Sequence, residues 1–256
     1  MIQELLKAAT EIAKVGGHHT LKYFKQDIEI IDKIDNSPVT IADRETEQIL
    51  REEIMKRYPD HGIIGEEYGR TNENSSIQWV LDPIDGTKSF IHGIPFYTTL
   101  IGVMIDNEPQ VGIIYAPALE ELCAAAIGYG ATLNGKPCRV KDTEKLEEAS
   151  FLVTDISHFK KAGQQKLFEE LLDRTKLNRT WGDAYGHMMV ATGRADLMYD
   201  PELHIWDAAA LLPVVQESGG IFSDSDGNET IHSGNGYSTN KKLFPEVKKI
   251  FEAHRK

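Results

Sequence analysis

Residues 79–95, WVLDPIDGTKSFIHGIP, contain an apolar segment, an acidic turn and the start of a helix. The apolar run WVL predicts a buried strand, and Pro83 can neither donate to a sheet nor continue a helix. The side chains of Asp82 and Asp85 should therefore emerge together at the end of this strand. Gly86 opens the predicted helix, and free N–H groups at a helix start attract phosphate, while neighbouring carboxylates attract a hard cation. One turn thus offers ligands to a metal ion and to a phosphoryl group.

Composition and charge exclude several classes of protein. The 256 residues are 41% apolar and 27% charged, a composition that favours a folded chain over a disordered one. Lys and Arg total 28 against 40 Asp and Glu, which gives a net charge of −12. We therefore expect no nucleic acid and no membrane among the partners. Charges interrupt the N-terminal segment and no long apolar stretch follows, so we expect a cytoplasmic protein with reduced thiols at Cys123 and Cys138.

The pattern of apolar residues predicts two fused halves. Residues 1–140 form an N-terminal α+β half: two amphipathic helices, the second ending before Tyr58, precede a series of strands and a glycine-rich hairpin. Residues 141–256 form a C-terminal α/β half in which strands alternate with helices, and the last helix is expected over Lys241–Ala253. The charged segment Lys136–Ala149, which lacks apolar periodicity, is the predicted boundary.

Several acidic residues lie at predicted element boundaries, where side chains can converge. They are Asp43, Glu66, Asp82, Asp85 and Asp207. Each also has a structural interpretation: Asp43 has capping-box spacing from Thr40, Glu66 and Glu67 suit a solvated loop, and Asp207 suits the start of a helix.

Gathered together, however, such carboxylates would repel each other strongly unless cations intervene. A set of oxygen ligands with no His or Cys cluster selects Mg²⁺ or Mn²⁺ over zinc, and a pair of such ions suits displacement at phosphorus.

The run VLDPIDGTKSFIHGIP, with Gly65–Glu67 upstream and Trp206–Asp207 downstream, resembles the inositol monophosphatase family of Mg²⁺-dependent phosphatases. The elements occur in the family's order over nearly the whole chain. The resemblance implies a layered αβαβα sandwich, two or three Mg²⁺ ions with Mn²⁺ as a substitute, a small phosphate ester as substrate, and a homodimer that lithium inhibits.

The resemblance also implies a set of metal ligands. Glu66, Asp82 and the backbone carbonyl of Ile84 would hold one Mg²⁺. Asp82, Asp85 and Asp207 would hold a second.

Catalytic and phosphate-binding roles follow from the same resemblance. Glu67 would contribute to a third, weaker metal site through a water molecule. Asp43, Glu66 and Thr87 form the expected catalytic set, in which Asp43 orients Thr87 and Thr87 activates the attacking water. The N–H groups of Gly86 and Thr87 would hold the phosphate, and no covalent intermediate is needed.

For the substrate, residues 182–186 and 88–90 resemble the histidinol-phosphatase branch more than the inositol branch. Carboxylates at Asp183 and Asp200, beside Asp207, would suit a cationic amine on the substrate.

A helix-capping role for Asp183 is the alternative. Likewise, His187 and His204 either contact substrate or are structural.

The leading hypothesis is therefore hydrolysis of L-histidinol phosphate. Within the same class, inositol-1-phosphate, a sugar bisphosphate or a 3′-phosphonucleotide are the alternatives. From other classes, the chain could be a non-catalytic regulatory or interaction member of the family, or a structural Ca²⁺-binding module, although it lacks the dense acidic loop of an EF-hand.

Overall fold

The computed structural model describes residues 1–32 and 38–255. Within these ranges the helices are α1 (Ile2–Thr20), α2 (Ile41–Arg57), α3 (Thr87–Ile91), α4 (Ile156–Lys161), α5 (Gln165–Arg174), α6 (Asp183–Ala191), α7 (Ile205–Glu217) and α8 (Phe244–Ala253). The strands of the N-terminal part are β1 (Ile30–Asp32), β2 (Pro38–Thr40), β3 (Gly62–Gly65), β4 (Gly69–Thr71), β5 (Ile77–Asp85), β6 (Thr98–Ile105), β7 (Glu108–Ala116), β8 (Glu121–Ala126), β9 (Ala131–Leu133) and β10 (Lys136–Pro137). Those of the C-terminal part are β11 (Ser150–Leu152), β12 (Leu177–Arg179), β13 (Leu197–Asp200), β14 (Gly220–Ser223) and β15 (Gly236–Asn240).

The strands form two large sheets and one small ladder. The first sheet has eight strands in the order β10-β9-β8-β7-β6-β5-β3-β4, and the second has five in the order β12-β11-β13-β15-β14. In the first sheet β3 runs parallel to β5, with Gly65 opposite Leu81, so the ends of the two strands lie at the same edge. In the described part of the chain, β1 and β2 pair with each other and with no other strand.

Alternation along β5 shows how the layers are built. Trp79 and Leu81 pack on one face of the first sheet with residues of α1 and α2, whereas Val80 packs on the other face with residues of α6 and α7. Successive strand residues point to opposite faces, so one buried strand serves two cores. The far face of the second sheet packs against α5 and α8, for example where Tyr199 meets Phe251. The layers are therefore α, β, α, β, α, which confirms the predicted sandwich.

Helix α7 lies between the two sheets and approaches the first one closely. A Cβ atom on Gly102 would lie 2.7 Å from the Cβ of Ala209, and one on Gly112 would lie 2.1 Å from the carbonyl oxygen of Ala210. The alanine-rich start of α7 and these glycines bring helix and sheet together at a distance that larger side chains would prevent. This contact places the first turn of α7 beside the end of β5.

Several details differ from the sequence-based expectation. Strand β5 continues through Pro83 to Asp85, because a register shift between Asp82 and Asp85 takes the proline out of the regular ladder. The last helix begins at Phe244 and not at Lys241, after a turn that Asn240 stabilises by accepting the N–H group of Leu243 at 2.9 Å. Strands β8 and β12 and helix α4 were not anticipated.

The predicted boundary near residue 140 stays a prediction. Helix α7, from the second predicted half, shares a hydrophobic core with β6 and β7 of the first half. Among the described residues, no helix combines the length and hydrophobicity required to cross a bilayer.

Candidate active site

Three carboxylates meet where β5 ends and α7 begins. One oxygen atom from each of Asp82, Asp85 and Asp207 lies within 4.8 Å of the other two. The bulge in β5 presents the first two, and the Asp82 carboxylate accepts the N–H group of Ile84 at 3.0 Å across the proline. The Thr99 hydroxyl donates to the carbonyl of Pro83 at 2.8 Å and fixes the same turn. The predicted convergence of these carboxylates is therefore present.

Two of these carboxylates also accept backbone N–H groups at the starts of helices. Asp85 accepts the backbone N–H group of Ala184, in the first turn of α6, at 2.7 Å, and the hydroxyl of Thr98 at 3.2 Å. Asp207 accepts the N–H group of His204, the residue before α7, at 2.6 Å. Free N–H groups and the positive end of the helix dipole stabilise each carboxylate.

The cluster carries more negative charge than its surroundings offset. Burial raises the pKa of Asp82 well above its ordinary value, and repulsion from Glu66, Asp85, Asp207 and Asp43 raises it further. Burial and neighbouring carboxylates likewise raise the pKa values of Asp85 and Asp207. Buried carboxylates at this spacing must bind protons or a cation. The donor set consists of oxygen atoms, which fits a hard divalent cation such as Mg²⁺.

Another carboxylate, that of Asp43, caps helix α2 and also accepts a hydrogen bond from Thr87. Its Oδ2 accepts the N–H group of Thr40 at 2.8 Å and the Thr40 hydroxyl at 2.6 Å, which gives the predicted cap of α2. Its Oδ1 accepts the hydroxyl of Thr87 at 3.3 Å, and that hydroxyl also lies 3.0 Å from the carbonyl of Ile84. Burial raises the pKa of Asp43 above its ordinary value despite the two contacts from Thr40. Asp43 therefore caps α2 and contacts Thr87 at the same time, and its catalytic role stays a prediction.

The parallel pairing of β3 and β5 brings Glu66 and Glu67 to the same edge. The backbone N–H group of Glu66 donates to the carbonyl of Leu81 at 3.2 Å, and the Glu66 charge raises the pKa values of both Asp82 and Asp207. The charge of Glu67 acts on the more distant Asp43, whose pKa it raises. Glu66 therefore adjoins the three-carboxylate cluster, and Glu67 lies towards the Asp43 side.

Gly86 joins the acidic turn to the short helix α3. Its φ of 80° lies in the left-handed region, which favours glycine. A Cβ atom at Gly86 would lie 2.9 Å from the carboxylate of Asp183, so the glycine also leaves room for that side chain. The predicted phosphate-binding turn and the predicted substrate contact thus lie next to each other.

Asp183 is the first residue of α6 and does not cap it. The residue before the helix is Gly182, which has no side chain, and the N–H group of Ala184 donates to Asp85, so the capping alternative for Asp183 is wrong. The residue has a φ of 52°, and its N–H group donates to the Thr154 hydroxyl at 2.6 Å. Burial, with repulsion from Asp200 and Asp207, raises its pKa to about 7.

The two histidines named from the sequence lie in different environments. His187 is fully buried, and its ring contacts Asp200 and Ser238. His204 is exposed and stacks on Trp206 with 4.7 Å between ring centroids. His187 therefore lies among buried polar side chains of α6, β13 and β15, whereas His204 lies at the surface next to the start of α7.

Comparison with known proteins identifies the family. The sequence matches the inositol monophosphatase family over residues 1–256. The chain belongs to this family. It is therefore a phosphatase, and family members act on small phosphate esters.

Named relatives agree with this assignment. A histidinol-phosphatase of Chlorobaculum parvum is 38% identical over 232 residues, which cover 90% of each chain. An inositol-1-monophosphatase of Synechocystis is 33% identical over 259 residues, covering 98% of this chain and 90% of the relative. The structure of the extragenic suppressor protein suhB of Bartonella henselae superposes with a TM-score of 0.91 at 26% identity and covers 97% of this chain and 98% of its own.

Within this inositol monophosphatase fold, sequence analysis missed a buried residue behind the acidic loop. Glu47 is fully buried in α2 and accepts the N–H groups of Glu67 at 2.6 Å and Tyr68 at 3.2 Å. Arg51, one turn further along the helix, donates to Glu47 at 2.7 Å. The available signal was the spacing of Asp43, Glu47 and Arg51, which places all three on one face of α2.

Proposed function

We propose that the protein is a Mg²⁺-dependent phosphomonoesterase that hydrolyses L-histidinol phosphate to L-histidinol and phosphate. The observation that carries the proposal is the pair of carboxylates Asp183 and Asp200: the charges of both raise the pKa of Asp85, and the charge of Asp200 raises the pKa of Asp183. The amine of histidinol is cationic at neutral pH, and anionic groups beside the phosphate-binding turn are suited to bind it. The 38% identity to a histidinol-phosphatase supports the same choice.

The oxygen ligands at the site fit Mg²⁺, with Mn²⁺ as a substitute. Glu66, Asp82 and the carbonyl of Ile84 would hold one ion, and Asp82, Asp85 and Asp207 a second. Bound ions of this type neutralise the charge of the phosphoryl group and lower the pKa of a coordinated water.

Glu67 would contribute to a third, weaker metal site through a water molecule. Its backbone N–H group is held by Glu47 at 2.6 Å, so the loop that carries it has a fixed anchor in α2.

The side chains around the ions would position the reacting groups. Thr87 would accept a hydrogen bond from the attacking water and pass its own hydroxyl proton towards Oδ1 of Asp43, with which it already forms a hydrogen bond. Glu66 would help to position the same water. The N–H groups of Gly86 and Thr87 would bind the phosphate oxygens at the start of α3. Positioning and charge neutralisation then supply most of the rate enhancement, as in other phosphoryl transfers.

A phosphate-release assay over a panel of esters tests this proposal. We expect kcat/KM for L-histidinol phosphate to exceed that for inositol-1-phosphate, fructose-1,6-bisphosphate and a 3′-phosphonucleotide by about tenfold or more, and activity to disappear when EDTA replaces Mg²⁺. Similar kcat/KM values across the panel would refute the substrate assignment. An absence of Mg²⁺-dependent turnover on every ester would instead favour a non-catalytic member of the family.

A further inference from the structure

We propose that His187 is a positioning residue that sets substrate selectivity by orienting the carboxylate of Asp200. The inference rests on the proposed function, because it assigns a supporting residue to the substrate-binding end of that site. His187 does not touch the reacting atoms in this assignment. It acts through Asp200, which binds a hydrogen-bond donor on the part of the substrate that leaves with the ester oxygen.

The buried ring of His187 connects three elements. It extends from α6 to β13, where its Nε2 lies 3.2 Å from Oδ2 of Asp200, and to β15, where its Nδ1 lies 2.6 Å from the hydroxyl of Ser238. The tautomer with its proton on Nε2 satisfies both contacts, because Nε2–H donates to the carboxylate and Nδ1 accepts the serine hydroxyl. Phe222 packs at 5.8 Å from the ring and further limits its orientation. Ser238 and His187 thus fix one oxygen of Asp200.

The other oxygen of Asp200 is left for a ligand. The side chain of Asp200 is almost completely buried. Its Oδ1 atom is buried as well and has no hydrogen-bond partner among the residues that the structure describes. Leaving a buried carboxylate oxygen without a donor costs folding free energy comparable to that of a lost hydrogen bond. Such atoms are therefore rare in folded proteins, and a ligand that donates a hydrogen bond would satisfy this one. The charge of Asp200 raises the pKa values of Asp85 and Asp183, so the carboxylate as a whole lies near enough to act on both.

The spacing along α6 joins these observations. Asp183 opens the helix and His187 lies four residues further along it, and the charge of Asp200, the partner of His187, acts on Asp183. Helix α6 therefore carries the carboxylate of Asp183 itself, and through His187 it orients the carboxylate of Asp200 in β13. Two carboxylates aligned in this way favour a substrate with an ammonium group or several hydroxyl donors over a simple phosphate ester.

A histidine that merely fills the core would affect folding but not selectivity, and a set of variants separates the two roles. His187→Met fills similar space without a donor, His187→Gln keeps a donor, and Asp200→Asn removes the charge. His254→Gln is the matched control, since His254 follows the last residue of α8, pairs with Glu170 at 2.7 Å and lies outside the site. For each variant, KM and kcat are measured with L-histidinol phosphate and with phenyl phosphate, whose leaving group carries no amine or hydroxyl donor.

We expect His187→Met to raise KM for L-histidinol phosphate about tenfold while kcat changes by less than about threefold and KM for phenyl phosphate by less than about twofold. His187→Gln should recover most of the loss, and His254→Gln should match the wild type. His187→Met combined with Asp200→Asn should be no worse than Asp200→Asn alone, because residues that act through one another are not additive. Should His187→Met fail to fold, Ser238→Ala tests the same connection from the other side of the ring.

An equal rise in KM for both esters, or additive effects in the double variant, would overturn the role of His187. Failure of the proposed function gives a different result, in which the wild type shows no preference for L-histidinol phosphate. The same variants are then measured with the ester of the panel that is hydrolysed best. A selective rise in KM for that ester supports the positioning role independently of histidinol, and an unselective rise refutes it.

Discussion

Replacing Asp183 with asparagine should stabilise the metal-free protein while it weakens substrate binding. The carboxylate is buried beside Asp200 and Asp207, and its pKa rises from the ordinary value of 3.8 to about 7. A shift of this size corresponds to about 4 kcal/mol of unfavourable free energy when the group is ionised in the folded state. Because the repulsion is shared among neighbouring carboxylates and relaxes in part, we expect a gain of about 2 kcal/mol from Asp183→Asn, or roughly 4–8 °C in Tm.

The pH dependence gives the sign of this effect. A raised folded-state pKa means that the folded protein binds the proton of Asp183 more tightly than the unfolded chain does. The wild type is therefore most stable, in this respect, below the unfolded pKa of 3.8, and it loses stability as the pH rises through about 7. The gain from Asp183→Asn should be full near pH 8 and smaller near pH 5.

Urea unfolding in EDTA at both pH values measures the gain, with Asp173→Asn as the control because that residue is exposed on α5. Saturating Mg²⁺ should reduce the gain, since bound cations offset the same repulsion. A stability gain that is absent at pH 8, or equal at the two pH values, would refute the electrostatic explanation. In parallel, KM for L-histidinol phosphate should rise selectively, whereas equal effects on every ester would argue against an amine contact.

Three further variants test other parts of the site. Asp207→Asn should lower turnover by about a hundredfold or more and abolish the Mg²⁺-induced rise in Tm with an unchanged circular dichroism spectrum; retained Mg²⁺-dependent activity would contradict its role as a ligand. Thr87→Val should lower kcat about a hundredfold, whereas Thr87→Ser should keep most activity because its hydroxyl can still donate to Asp43; similar losses in both would argue against a role for the hydroxyl. Glu47→Gln should destabilise the protein by about 1–3 kcal/mol in chemical unfolding and weaken Mg²⁺ binding in calorimetry, since the N–H group of Glu67 loses a charged acceptor; unchanged Mg²⁺ affinity would limit Glu47 to folding.

The sequence predicted the parts of the site that are adjacent in the chain or follow from strand order. Asp82 and Asp85 lie at the end of the buried strand β5, and the parallel pairing of β3 with β5 brings Glu66 to the same edge. The layered fold was predicted through the family resemblance, and the alternation along β5 explains why one strand serves two cores. These features depend on local patterns that a single sequence displays.

Other features depend on contacts between distant segments and could not be predicted in the same way. The hydrogen bond from Glu67 to Glu47 forms only because α2 packs against the first sheet. Strand β8, ELCAAA, lacks the β-branched residues and the alternation that mark a strand, and it is held by pairing with β7 and β9. The contact of His187 with Ser238 joins residues 51 positions apart.

The fold can hold its acidic cluster because helix starts converge on it. Asp43 accepts an N–H group at the start of α2, Asp85 one at the start of α6, and Asp207 one at the start of α7. Each helix start therefore places a donor and the positive end of a dipole next to a carboxylate that would otherwise be repelled by its neighbours. An asparagine at Asp85 or Asp207 keeps one acceptor oxygen for the same N–H group and loses the charge and the second acceptor oxygen. Asn variants at these two positions consequently separate metal binding from helix capping, whereas alanine variants would remove both and could not tell a lost ligand from a damaged fold.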